Sequence, residues 1–119
     1  LSTVRDADRI VGLLEAAELR NPSLIVNRLR PHLVKNETMM SVEDVQEILN
    51  IRLLGIVPDD EAIINSSNRG EPVTLHEGAR AGQAYRNIAR RLRGEEVPFL
   101  DFEEGGLLGR IRRFLTGVR

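Results

Sequence analysis

From Val4 onward, apolar residues return at helical spacing, with Val4, Ala7, Ile10, Val11, Leu14 and Ala17 on one face, and Thr3-Val-Arg-Asp6 has the form of a capping box. Asn21-Pro22 stops that helix. Ser23-Leu-Ile-Val-Asn27 then reads as a short strand whose continuous apolar run suits a sheet covered on both faces. The stretch from about Leu29 to Met40 reads as a loop. A second capping box, Ser41-Val-Glu-Asp44, opens a helix with Val42, Val45, Ile48 and Leu49 inward, and Arg52-Leu-Leu-Gly-Ile-Val57 gives a second buried strand. Pro58-Asp59-Asp60 ends that strand and a short helix follows from Glu61 to about Ser67, before the turn Asn68-Arg-Gly-Glu-Pro72. A longer helix from about Leu75 to Arg93 turns Ala81, Tyr85, Ile88, Ala89 and Leu92 inward and Arg80, Arg86, Arg90 and Arg93 mostly outward.

Strand, helix, strand in this order is a crossover unit with parallel strands. Two parallel strands make a marginal sheet, and the first helix lacks the strand that should feed it. The expected class is therefore α/β: the C-terminal half of a doubly wound parallel-sheet domain, with two strands and about four helices, cut at or just before Leu1. The expected organisation is a body over residues 1–94, an acidic linker over 95–106 and a terminal helix over 107–119. Glu95, Glu96, Asp101, Glu103 and Glu104, with Pro98 and a Gly-Gly break, mark the linker.

The terminal stretch divides sharply. At about 100° per residue, Leu107, Leu108, Ile111, Phe114, Leu115 and Val118 share one arc of roughly 120°, with Arg110, Arg112, Arg113 and Arg119 flanking or opposing it. Such a helix suits an anionic membrane surface, with its arginines snorkelling into the headgroups. A terminal helix packed on its own domain fits the same pattern, and so does a calmodulin-like or nucleic-acid partner.

Composition narrows the field. The 119 residues are 41% hydrophobic and 29% charged, as in one globular domain, and the formal net charge of −1 argues against wholesale nucleic-acid binding. The absence of cysteine excludes a disulfide framework and fits a reducing cytosol. No apolar run approaches the ~20 residues that span a bilayer, so a membrane contact would be peripheral. Lys35, the one lysine, has no glycine near it, so the chain has no Gly-Lys-Ser/Thr phosphate loop.

Open α/β sheets bind ligands beyond the carboxyl ends of their strands. Asn27-Arg28 and Pro58-Asp59-Asp60 occupy those places on the two strands. An Asn amide can pair with an adenine edge and a proline-led loop gives a flat wall, although Asn and Asp are also common turn formers. His32 and His76 stand at no metal-ligand spacing and read as loop or surface residues, and Asp59-Asp60-Glu61 reads as a helix start. No Ser-His-Asp or Cys-His pattern is visible.

Six blocks in order carry a family likeness: Val4-Arg-Asp-Ala-Asp-Arg-Ile10, Leu24-Ile-Val-Asn-Arg28, Met40-Ser-Val-Glu-Asp-Val45, Leu54-Gly-Ile-Val-Pro-Asp-Asp60, Ser67-Asn-Arg-Gly-Glu-Pro-Val73 and Ala81-Gly-Gln-Ala-Tyr-Arg-Asn-Ile-Ala-Arg-Arg91. Together with the terminal helix they closely resemble the C-terminal half of the MinD family of septum site-determining ATPases, in the deviant Walker A group that includes the partition ATPases. The resemblance implies a P-loop NTPase-like fold, use of ATP and ADP, and an ATP-dependent homodimer held through its terminal helix on the inner face of a bacterial cell membrane. It implies base contacts at Asn27, Pro58 and Asp60, with Arg28 a further cofactor-binding candidate beside Asn27, and with phosphates and magnesium held by the half that is absent. It also implies MinC-like and MinE-like division regulators as partners at Asp6, Asp8 and Arg9. No nucleic-acid partner is expected, and the chain alone should not hydrolyse ATP. Two other readings stand beside this one: a non-enzymatic membrane- and partner-binding module, and a related ParA/Mrp-type partition or assembly ATPase.

Overall fold

The computed structural model describes residues 2–36 and 39–102. The expected membrane helix, 107–119, and the end of the expected linker, 103–106, lie outside the described residues. The elements are α1 (Ser2–Ala16), β1 (Ser23–Leu29), α2 (Pro31–Lys35), α3 (Val42–Leu49), β2 (Arg52–Pro58), α4 (Glu61–Arg69), a 3-10 turn at Val73–Leu75, and α5 (Arg80–Leu92). The two strands pair in parallel, with Ser23 beside Arg52, Ile25 beside Gly55 and Leu29 beside Pro58. Among the described residues, five helices and a parallel two-stranded sheet place the chain in the α/β class.

Local chemistry explains most boundaries. Ser41 Oγ accepts from Asp44 N at 3.1 Å while Asp44 Oδ2 accepts from Ser41 N at 3.3 Å, a complete capping box on α3. The expected box at Thr3–Asp6 does not form, because α1 already runs through Thr3 and a residue with helical backbone cannot serve as the half-in cap. The expected loop after Leu29 contains α2, opened by Pro31, whose fixed φ and missing N–H suit a first helical turn. Gly70 ends α4 at φ 70°, its N–H returning to Ser66 and Ser67 carbonyls.

The core joins β2 to α5. Leu54 and Val57 pack with Ala81, Ala84 and Ile88, and Ile63 and Leu100 cover the edge. Gly55 lies directly under Ile88, where any Cβ would overlap that side chain. Gly82 lets α5 approach the 3-10 turn, since a Cβ there would come within 2.5 Å of the Val73 carbonyl oxygen. On the other strand Ile25 shares its face with Gly55 yet remains 44% exposed, so the expectation of cover on both faces fails for β1.

Helix faces also depart from the expectation. On α1, Val4, Ala7, Val11 and Leu14 are half-buried, whereas Ile10 and Ala17 are exposed. On α3, Leu49 is buried but Ile48 is half exposed. On α5 the buried line is Ala81, Ala84, Ile88 and Arg91, while Tyr85, Ala89 and Leu92 face out. The helix is rotated toward a buried arginine that hydrophobic periodicity does not count. Arg91 Nε donates to Val97 O at 3.1 Å, Nη2 to Pro98 O at 3.1 Å and Nη1 to Leu54 O at 3.0 Å. Its guanidinium lies 4.1 Å from the centre of the Phe99 ring. Residues 95–102, the described part of the acidic segment, have no helix or strand and lie along the body, ending at the buried Phe102 beneath Arg80.

Candidate functional site at the carboxyl ends of the strands

Asn27 and Arg28 lie within β1, not after it. The pairing slips between Val26 and Leu29, and this bulge absorbs them because Leu29 still finds its place beside Pro58 and is buried there. Arg28 takes a left-handed backbone at φ 56°, and Asn27 Oδ1 accepts from its N–H at 2.9 Å. Arg30 is the residue that follows the strand, and sequence reasoning passed over it. The backbone ladder continues one step further, with Asp59 N donating to Leu29 O at 2.8 Å.

The two carboxylates after β2 are both occupied, and by different chemistry. Asp59 Oδ2 meets Arg30 Nε at 2.7 Å, and its Oδ1 lies 3.9 Å from Arg28 Nε. Asp60 caps α4 through Oδ1, which accepts from Ala62 N at 2.9 Å, and ties α5 to it through Oδ2, which accepts from Ala81 N at 3.0 Å. A carboxylate at two helix N-termini also meets the positive ends of both helix dipoles. Asp60 thereby holds a loop and two helices in one register.

A cleft of about 750 Å³ opens at this edge of the sheet, lined among others by Pro31, His32, Pro58, Asp60, His76 and Phe102. That is within the range of small-molecule sites. Pro58 and Asp60 of the expected contacts line it; Asn27 and Arg28 do not, and stand on the β1 side of the same edge. His76, expected as a loop or surface residue, lies in the loop after the 3-10 turn and faces the cleft with Nε2 buried and 3.7 Å from Glu71 Oε2. Among the described residues no group of three or more His, Asp or Glu side chains could hold a metal ion. With Asp59 held by Arg30 and Asp60 by backbone amides, the arrangement is suited to binding.

The expected partner residues Asp6, Asp8 and Arg9 are all exposed on α1. They do not form one patch: at about 100° per residue Asp6 and Arg9 are roughly 60° apart, beside the exposed Ile10 and Leu13, while Asp8 lies roughly 160° from Asp6.

The fold is that of a nucleotide-binding class. Residues 3–73 match the model of the CobQ/CobB/MinD/ParA nucleotide binding domain, and the chain belongs to that family. Within it the chain is similar to the septum site-determining protein MinD of Synechocystis, 53% identical over 120 residues that cover 98% of this chain and 45% of that protein. It is also 50% identical to MinD of Bacillus subtilis over 122 residues, 100% of this chain and 45% of the relative. Among solved structures, the MinC:MinD cell division protein complex of Aquifex aeolicus matches with TM-score 0.82 and 44% identity, over 86% of this chain and 42% of that one. The chain spans about 45% of the length of these curated relatives.

Proposed function

We propose that this chain is the C-terminal portion of a MinD-like cell-division ATPase, which places the division septum by binding the membrane as an ATP-dependent dimer and recruiting an inhibitor of septum formation. The observation that carries the reading is the 53% identity to a septum site-determining protein across 98% of the chain. The cleft at the strand ends supports a nucleotide ligand: Pro31 and Pro58 offer flat apolar walls to a base. In this reading Asn27 presents its amide to the base from the β1 side with Arg28 beside it, Pro58 forms the wall, and Asp60 fixes the loop that carries it. ATP or ADP is then held mainly through its phosphates and magnesium, by segments outside this chain, because phosphate contacts supply most of the grip on a nucleotide.

Asp6, Asp8 and Arg9 serve MinC-like and MinE-like regulators; a MinC:MinD complex among the similar structures supports the MinC-like partner. Leu107, Leu108, Ile111, Phe114, Leu115 and Val118, with Arg110, Arg112 and Arg113, hold the inner face of the cell membrane, each copy weakly and two copies adequately.

The test uses a chimera in which this sequence replaces the matching segment of Synechocystis MinD. Sedimentation with anionic vesicles should carry down more protein with ATP than with ADP. Equal binding in the two states would overturn the nucleotide switch.

A further inference from the structure

We propose that Arg30 is a positioning residue for the nucleotide: through Asp59 it latches the exit of β1 to the exit of β2 and sets the width of the cleft mouth. This rests on the nucleotide reading above. The two walls of the cleft are built very differently. Behind Pro58 the wall is rigid, since the Asp60 carboxylate is bonded to Ala62 N and Ala81 N and so to two helices. The opposite wall, carrying Pro31 and His32, follows a bulge with a left-handed Arg28 and leads into a helix of five residues. A short helix of that kind has little cohesion of its own.

The two exits are joined at two points. The first is the backbone bond from Asp59 N to Leu29 O at 2.8 Å, which fixes the strand end. The second is one residue further out, where Arg30 Nε meets Asp59 Oδ2 at 2.7 Å across 29 positions of sequence. Arg30 is the residue immediately before Pro31, so it is where the wall that carries the short helix can be tied to the rigid one. The side chains of Arg30 and Asp59 are 41% and 39% exposed, so solvent screens the pair and it adds little to folding. A short, well-aimed contact that stabilises the fold so weakly, placed between the two walls, acts on geometry. Arg28 Nε, 3.9 Å from Oδ1, is beyond hydrogen-bond distance and adds only a solvent-screened attraction toward the β1 side.

In the chimera, Arg30→Ala and Asp59→Ala should each raise the KM for ATP about fivefold while kcat and the melting temperature stay unchanged. The double variant should be no worse than either single one, because both remove the same latch. An unchanged KM, additive effects in the double variant, or a parallel fall in melting temperature would each overturn the latch while leaving nucleotide binding intact. A parent chimera that neither binds nor hydrolyses ATP would instead overturn the nucleotide reading, and the latch with it.

Discussion

Arg91 and Leu54 are joined across 37 positions of sequence by a buried hydrogen bond from Nη1 to the carbonyl oxygen, at 3.0 Å. The same guanidinium gathers the Val97 and Pro98 carbonyls, so one side chain fastens residues 97–98 to the middle of β2. Burial, and after it the charge of Arg90, lower its pKa from the ordinary arginine value. Three carbonyl dipoles and the face of Phe99 offset that cost.

Replacing Arg91 should therefore destabilise the protein by more than its lost packing. Arg91→Ala removes the buried bond to Leu54 O and the two part-buried bonds to Val97 O and Pro98 O, and should cost about 2–4 kcal/mol in denaturant unfolding of the chimera. Arg91→Lys should recover only part of this, because an ammonium lacks the planar fork that reaches three acceptors and stacks on a ring. Limited proteolysis should find new cleavage near Phe99 in both variants.

Gly55→Ala tests the contact between sheet and helix. The added methyl must displace the Ile88 side chain, and overpacking of this kind costs about 1–3 kcal/mol. Adding Ile88→Val should restore part of the loss, measured as the unfolding midpoint. A double variant that fares worse than the sum of the singles would contradict the packing account.

Asp60→Ala should separate capping from ligand contact. Loss of both acceptors should lower stability by about 1–2 kcal/mol, and Asp60→Asn, which keeps one acceptor, should lose roughly half as much. Denaturant unfolding without nucleotide is the measurement. Full stability in the alanine variant would mean that the carboxylate serves only a ligand.

Phe114→Glu or Ile111→Glu should reduce vesicle binding of the chimera about tenfold or more, since a carboxylate in the apolar arc opposes insertion among anionic headgroups. ATP-driven dimerisation, followed by light scattering, should persist. Loss of both together would refute a division of labour between tail and body.

Elements set by short-range rules were legible in the sequence. The Ser41–Asp44 box stands where it is expected and the two β-rich runs form the two strands, although β1 continues past Asn27 to Leu29 and α1 already ends at Ala16, before Asn21-Pro22. What escaped depends on partners distant in the chain. The inward face of α5 was set by counting apolar residues, yet Arg91 is drawn inside by carbonyls 37 and 6–7 positions away. Arg30 was overlooked because its meaning lies in Asp59, 29 residues on, and Asn27 and Arg28 sit inside β1 because Leu29 is claimed by Pro58. The edge of the sheet that carries the candidate site was readable from strand order. The ties that shape it were not.

The pairing of Ile25 with Gly55 has a consequence in time as well as in space. Across one rung of the ladder the covering passes from Ile88 pressed on a glycine to an isoleucine left 44% exposed. Opening of the backbone should follow the same gradient, so deuterium should enter the amides of β1 well before those of β2, which α5 and the Arg91 clasp keep shut. The paired strands are then two clocks, one fast and one slow, and the cleft spans the seam between them.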